Sequence, residues 1–253
     1  MIRLVPLLFA MCIAGPTLAE TPPRIAIIID DLGYNRELGL RAIALPAQLT
    51  VAILPDAPRA RSMAEAASRS GKQVIVHLPL EAMNNKGPFE PGRVTLAMTE
   101  TEVHDVFHRA LASVPHAVGV NNHRGSRFTR QHSQMQWLMD LIHSTGQLFF
   151  VDSFTTHHSV AMEVAQQVGV PAVRRDIFLD HVRDPAHMRR QLERLKHRAS
   201  VEGQAVAIGH PYPETMAMLE DALPELLAEG FELVHVSELV SQAQTVSKVT
   251  TGR

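Results

Sequence analysis

Apolar residues along this chain come in short, β-branched runs, each followed by a stretch in which they recur every three or four positions. The runs are Ile25–Ile29, Leu49–Leu54, Val74–Val76, Ala117–Val120, Leu148–Val151, Val170–Val173, Ala205–Ile208 and Leu233–Val236. They are too short for helices and apolar throughout, which predicts strands buried on both faces of a parallel sheet. Between them, Asn35–Leu45, Pro58–Ser70, Glu100–Val114, Gln131–Ser144, His157–Val168, Pro185–Val201 and Pro213–Glu229 carry the spacing of amphipathic helices. Local punctuation agrees. Gly71, Gly146, Gly169, Gly203 and Gly230 each follow a helical stretch, where a left-handed cap favours glycine. Thr99 to Glu102 reads as a capping box ahead of Val103, Val106 and Phe107.

Strand then helix, repeated seven times with right-handed crossovers, leaves a doubly wound sheet or a barrel. The expectation is an α/β fold built as a distorted parallel (β/α) barrel of about seven strands. Its one long loop is expected at Glu81–Val94, which contains Asn84, Asn85, Gly87, Pro88, Pro91 and Gly92.

The two ends depart from this pattern. Arg3, the apolar run Leu4–Ala14 and the small-residue site Thr17-Leu18-Ala19 have the layout of a signal peptide cleaved after Ala19. That run is shorter than the roughly 20 apolar residues a spanning helix needs. The expected organisation is therefore a signal peptide over 1–19, a folded domain over 20–242 and a disordered polar tail over 243–253. Export to the periplasm or beyond follows, with no stable membrane span once the leader is removed. Cys12, the one cysteine, lies in the leader, so the mature chain would have neither disulfides nor thiolate ligands. Met11 is too bulky for a lipid-attachment site at Cys12. A net charge of −2 gives no basic patch for nucleic acid.

Working residues in parallel α/β folds gather where strands end and the following loops form one mouth. Here Asp30-Asp31 close the first strand, His77 the third, Asn121-Asn122-His123 the fourth, Asp152 the fifth and His210 the seventh. Asp176 and Asp180 lie beyond the sixth. A catalytic zinc or similar divalent ion takes neutral imidazoles and a carboxylate and keeps one position open for water. One Asp with two His meets that need, an adjacent Asp can accept the water's proton, and a histidine across the mouth, His210, can protonate a leaving group. Each member also has a plain reading: Asp30-Asp31 and Asp152 as helix caps, His77 as a hydrogen-bonded core histidine. Their joint placement favours the site. His104 and His108 lack the Glu of H-E-x-x-H, and His157, His158, His187 and His197 read as solvated helix flanks. No G-x-S-x-G elbow surrounds Ser126 or Ser153.

The ordered segments Ile27-Ile28-Ile29-Asp30-Asp31-Leu32-Gly33, Thr50–Pro55, His77-Leu78-Pro79-Leu80-Glu81, Gly119–Ser126 and Gly209-His210-Pro211 resemble the divergent polysaccharide deacetylase family. The resemblance runs from about Arg24 to Val240. It implies a barrel related to the sugar deacetylases, a divalent metal and an acetylated polysaccharide or peptidoglycan-like glycan as partner. It further implies Asp30 as base, Asp31 as metal ligand, His77 and His123 as histidine ligands, and His210 as acid. The better-known deacetylases take both histidines from one H-x-x-x-H loop, whereas Glu81 stands at the second position here. His123 is then the choice for the second histidine, with Asp152 or Glu81 as alternatives completing the shell. Two other readings remain: a catalytically inactive barrel that binds glycan or an envelope protein, and a metal-free glycosidase pairing Asp30 or Asp31 with Asp152 or Asp176.

Overall fold

The computed structural model describes residues 21–84 and 90–240. The expected leader with Cys12, the expected tail over 243–253 and residues 85–89 of the long loop lie outside the described residues. Strands are β1 (Arg24–Leu32), β2 (Thr50–Ile53), β3 (Gln73–Leu80), β4 (Ala117–Arg124), β5 (Phe149–Asp152), β6 (Ala172–Arg174), β7 (Ile177–Phe178), β8 (Gln204–Gly209) and β9 (Glu232–Val234). Helices are α1 (Arg36–Ile43), α2 (Ala60–Arg69), α3 (Glu100–Ser113), α4 (His132–Ser144), α5 (Ala161–Val168), α6 (Pro185–Glu202) and α7 (Pro213–Ala228). Among the described residues, no helix is long and apolar enough to cross a membrane.

All the strand pairings are parallel, in the order β6-β5-β4-β3-β2-β1-β8-β7, with β9 beside the first residues of β1. The two edge strands, β6 and β7, are separated only by Arg175 and Asp176. Arg175 N–H donates to Asp152 O on one side of this gap, and Asp176 N–H donates to Val206 O on the other. The sheet must therefore roll until its edges meet. The result is the expected barrel, with a seam bridged by the chain itself instead of by a hydrogen-bonded ladder.

Two departures from the sequence reading are local. The chain past the expected sixth strand adds β7 beyond the seam, and the last apolar run forms a strand as read, β9, so the described residues hold nine strands where a barrel of about seven was expected. The helix expected from His157 starts at Ala161, because Val160 N–H is taken by Thr129 O and Thr155 Oγ1 donates to Arg124 O, which hold 155–160 as a loop. The capping box is present: Thr99 Oγ1 accepts from Glu102 N–H while the Glu102 carboxylate accepts from Thr99 N–H.

Strand alternation divides the core in two. Ile25, Ile27 and Ile29, with Val74, Val76, Val120, Phe150, Ala205 and Ala207, pack outward against the helices. Ala26, Ile28, Ala52, Ile75, Phe149, Val151, Val206 and Ile208 fill the barrel interior. This parity decides which polar residues at the strand ends face one another.

Candidate metal centre

Extending the inward set by two residues along each strand brings Asp30 after Ile28, His77 after Ile75, Asn121 and His123 after Gly119, Ser153 after Val151, and His210 after Ile208. Asp31 should by the same rule point outward. Instead it takes φ 61°, in the left-handed region, where the register of β1 against β2 slips between Ile29 and Leu32. That backbone costs about 1 kcal/mol or more, and it turns the Asp31 carboxylate into the mouth beside Asp30. Gly33 follows at φ 122°, and a side chain there would meet Ala57 Cβ at 2.5 Å, so glycine lets the loop after β2 close on the rim.

Asp31, His77 and His123 converge. Asp31 Oδ1 lies 3.2 Å from His77 Nε2 and 3.1 Å from His123 Nδ1, and the two ring nitrogens are 3.1 Å apart. Three ligands held about 2.0–2.1 Å from a zinc ion stand roughly 3.3 Å apart in tetrahedral geometry and about 2.9 Å apart on an octahedral face. The observed triangle lies between these values. Asp31 Oδ1 is buried without a hydrogen bond in the described structure, as a lone pair reserved for a cation would be. The donor set and its geometry thus fit a divalent metal.

Polar neighbours fix this arrangement. Asn121, the register partner of His77, accepts at Oδ1 from His77 Nδ1 at 2.8 Å, which leaves His77 Nε2 free to face Asp31. The Asn121 amide donates to Asp30 Oδ1 at 2.8 Å and to Ser153 Oγ at 3.4 Å. Burial raises the Asp30 carboxyl above the ordinary carboxylate range, against the lowering effect of His77 and His210. Burial also opposes charge on Asp31, but the facing His123 and His77 imidazoles outweigh it and hold that carboxyl well below the usual range. His77 is likewise disfavoured as a cation by burial, yet is raised on balance by Asp30 and Asp31. Two adjacent carboxyls are therefore driven in opposite directions, as a proton acceptor and a fixed anion require.

His210 faces this set from β8, with Nε2 3.8 Å from Asp31 Oδ2. Its Nδ1 donates to Asp180 Oδ1 at 2.9 Å, and Asp180 Oδ2 accepts from His210 N–H and from Thr215 Oγ1. Burial works against the His210 imidazolium, but Asp180, Asp31 and Asp30 together push its pKa up to about 9. A cavity of ≈ 360 Å³ opens beside the triad, lined by Asp31, Tyr34, Pro55, Asp56, Glu90 and His123 among others. A larger one of ≈ 570 Å³ lies between α6 and the seam and holds none of the converging side chains, so the chemistry belongs to the smaller.

Three further candidates stand apart from the triad. Asp152 shares the outward parity of Phe150; its Oδ1 accepts from Phe154 N–H, and burial raises its carboxyl. Glu81 is occupied by Arg127 Nη1 and Leu96 N–H, each at 2.7 Å. Asp176 sits at the seam, where Oδ2 accepts from Val206 N–H and Oδ1 lies 3.4 Å from Arg198. Asp152 and Asp176, the partners a glycosidase would set against Asp30 or Asp31, are thus each engaged by a backbone N–H. The sequence places Asn121 in the strand-end set without a role and reads Ser153 as no nucleophile; parity with His77 and His123 is the signal that brings both to the site. The bond from Asp180 to His210 crosses between β7 and β8 and has no local signal.

The site thus sits on a rolled parallel sheet, with an Asp-Asp pair on its first strand and histidines on later strands. The chain belongs to the divergent polysaccharide deacetylase family, whose pattern it matches over residues 27–240. It is 36% identical over 234 residues to the uncharacterized protein YibQ of Escherichia coli (strain K12), covering 92% of this chain and 72% of YibQ. The crystal structure of an uncharacterized Agrobacterium tumefaciens C58 protein superposes with a TM-score of 0.82 at 25% identity, over 88% of this chain and 92% of that one. The peptidoglycan deacetylase PdaC from Bacillus subtilis shares the fold, with a TM-score of 0.53 at 11% identity over 90% of this chain and 96% of its own.

Proposed function

We propose that this protein is an exported, metal-dependent hydrolase that removes acetyl groups from a cell-envelope glycan. The carrying observation is that Asp31, His77 and His123 place three donor atoms within 4.8 Å of one another while Asp30 and His210 stand beside them as separate proton-handling groups. Asp31, His77 and His123 would hold the ion, and two imidazoles with one carboxylate suit zinc. When bound, such an ion polarises the acetyl carbonyl and makes water more acidic. Family membership supports a glycan substrate, and the leader-like first nineteen residues support export to the periplasm.

The chain's own residues then divide the work. Asp30, held by the Asn121 amide, accepts a proton from water as its oxygen bonds to the acetyl carbon. His210, oriented through Nδ1 by Asp180, gives its Nε2 proton to the amine or alcohol oxygen that departs as the bond to the acetyl carbon breaks. Acetate and a deacetylated sugar are the products. The cavity beside Asp31 and His123 would take the sugar ring, with Tyr34 and Asp56 on its walls.

The test is acetate release from N- and O-acetylated sugar oligomers by zinc-loaded protein. Activity abolished by a chelator and by Asp30→Asn supports the reading. Release that persists in Asp30→Asn protein with its zinc in place shows that the roles are wrongly assigned.

A further inference from the structure

Besides Asp30, a second carboxylate that belongs to no ligand position approaches the Asp31, His77 and His123 triad, that of Glu90. Glu90 Oε1 lies 3.2 Å from His123 Nε2, on the far side of the imidazole from the Nδ1 that faces Asp31. A carboxylate can only accept, so this contact places the ring proton on Nε2 and leaves the Nδ1 lone pair directed at Asp31 Oδ1 and His77 Nε2. Asn121 does the converse for His77, binding Nδ1 and freeing Nε2. The two imidazoles thus present opposite nitrogens, and each is fixed by a different partner.

Glu90 is itself anchored. Arg124 Nε is 3.1 Å from the same Oε1, Arg93 Nη1 is 3.9 Å from Oε2, and only 17% of the side chain is exposed. Glu90 Oε2 has no hydrogen bond in the described structure. Next to it, Gly92 takes φ 69°, and a side chain there would run into the Asp56 carboxylate, so the backbone after Glu90 is pressed against the loop after β2. These contacts hold the carboxylate against His123.

We propose that Glu90 is a positioning residue of the metal centre: it holds His123 in the tautomer and orientation that present Nδ1, and so ties the loop after β3 to the ligand set. This rests on the reading of Asp31, His77 and His123 as a metal site. Imidazole ligands commonly donate their second N–H to a carboxylate, and loss of that partner costs about 10–100-fold in metal affinity. Glu81, the acidic residue nearer to His77 in sequence, cannot serve, because Arg127 and Leu96 N–H occupy both of its oxygens.

The experiment is zinc affinity by competition with a chromogenic chelator, together with the visible absorption of the cobalt-loaded protein. Wild type is compared with Glu90→Ala, Glu90→Gln, Arg124→Met and His77→Ala, each checked for folding by circular dichroism. Glu90→Ala should weaken zinc binding about 10–100-fold and shift the cobalt spectrum. Glu90→Gln retains an acceptor for Nε2–H and should lose less. Arg124→Met removes an anchor of Glu90 but leaves its carboxylate in the chain, and should weaken zinc binding less than Glu90→Ala does. Unchanged affinity and spectrum in Glu90→Ala, with zinc lost from His77→Ala, would overturn the role of Glu90 while leaving the metal site standing. No zinc uptake by wild type would overturn both.

Discussion

His77 Nε2 and His123 Nδ1 stand 3.1 Å apart, with their ring planes 73° from parallel. Two imidazole lone pairs cannot share that distance comfortably without a proton or a cation between them. The protein should therefore bind about one zinc or comparable divalent ion per chain, and the His77→Ala/His123→Ala double variant should bind none. Elemental analysis checks this directly. Zinc at about 100 times its dissociation constant should also stabilise wild type by roughly 2.7 kcal/mol, visible as a raised Tm that the double variant lacks.

Adjacent carboxylates should respond differently to the same substitution. Asp31→Asn removes the anionic donor and should release the metal, whereas Asp30→Asn should retain it and lower the rate of deacetylation about 10²–10⁴-fold. Metal content and turnover measured on the same preparations separate the two. Equal metal loss in both variants would show that the pair acts as a single ligand unit.

Titration of His210 offers a test in metal-free protein. Its pKa, raised to about 9 from an ordinary 6.5, should fall when Asp180→Asn removes the partner of Nδ1, as followed by NMR of the imidazole. The sign for stability follows. A base with a raised pKa contributes fully below its unfolded value, and the contribution disappears as pH rises through the folded one. Wild type should therefore lose stability relative to Asp180→Asn as pH rises from about 6.5 through about 9. Parallel denaturation profiles for the two proteins across that window would remove the basis for this assignment.

Asp176 should behave as a structural residue. Asp176→Ala leaves Val206 N–H without its side-chain acceptor at the seam and should cost about 1–3 kcal/mol in chemical denaturation. Zinc affinity and acetate release should not change. A selective loss of activity would return Asp176 to the list of working residues.

Much of this site can be read from the chain because parity is a sequence property. Once Ala26 and Ile28 are taken as inward, Asp30 follows; once Ile75 is inward, so is His77; and Phe150 facing the helices carries Asp152 with it. Asp31 defeats this rule, since its placement depends on one left-handed residue and a register slip that its side chain does not announce. Glu90 defeats it as well, because it lies on a loop where no periodicity operates. The barrel itself was visible in the alternation of runs. Its seam was not, because the two residues that interrupt the edge strand, Arg175 and Asp176, look like any polar turn.

The pairing of β1 with β8, Arg24–Ile29 against Gln204–Gly209, has a consequence for the order in which the molecule comes into being. β1 precedes every other described strand, whereas this neighbour is the eighth of the nine. Until residues 204–209 emerge, the nascent chain has an unpaired, strongly apolar β1 edge and no route to closing the wall, and contacts of such separation are slow to form. Asp30 and Asp31 are made well before His210, so the mouth is complete only once β8 has joined β1. A chain stalled short of β8 would carry Asp30, Asp31, His77 and His123, yet it would lack His210 and the strand that positions it.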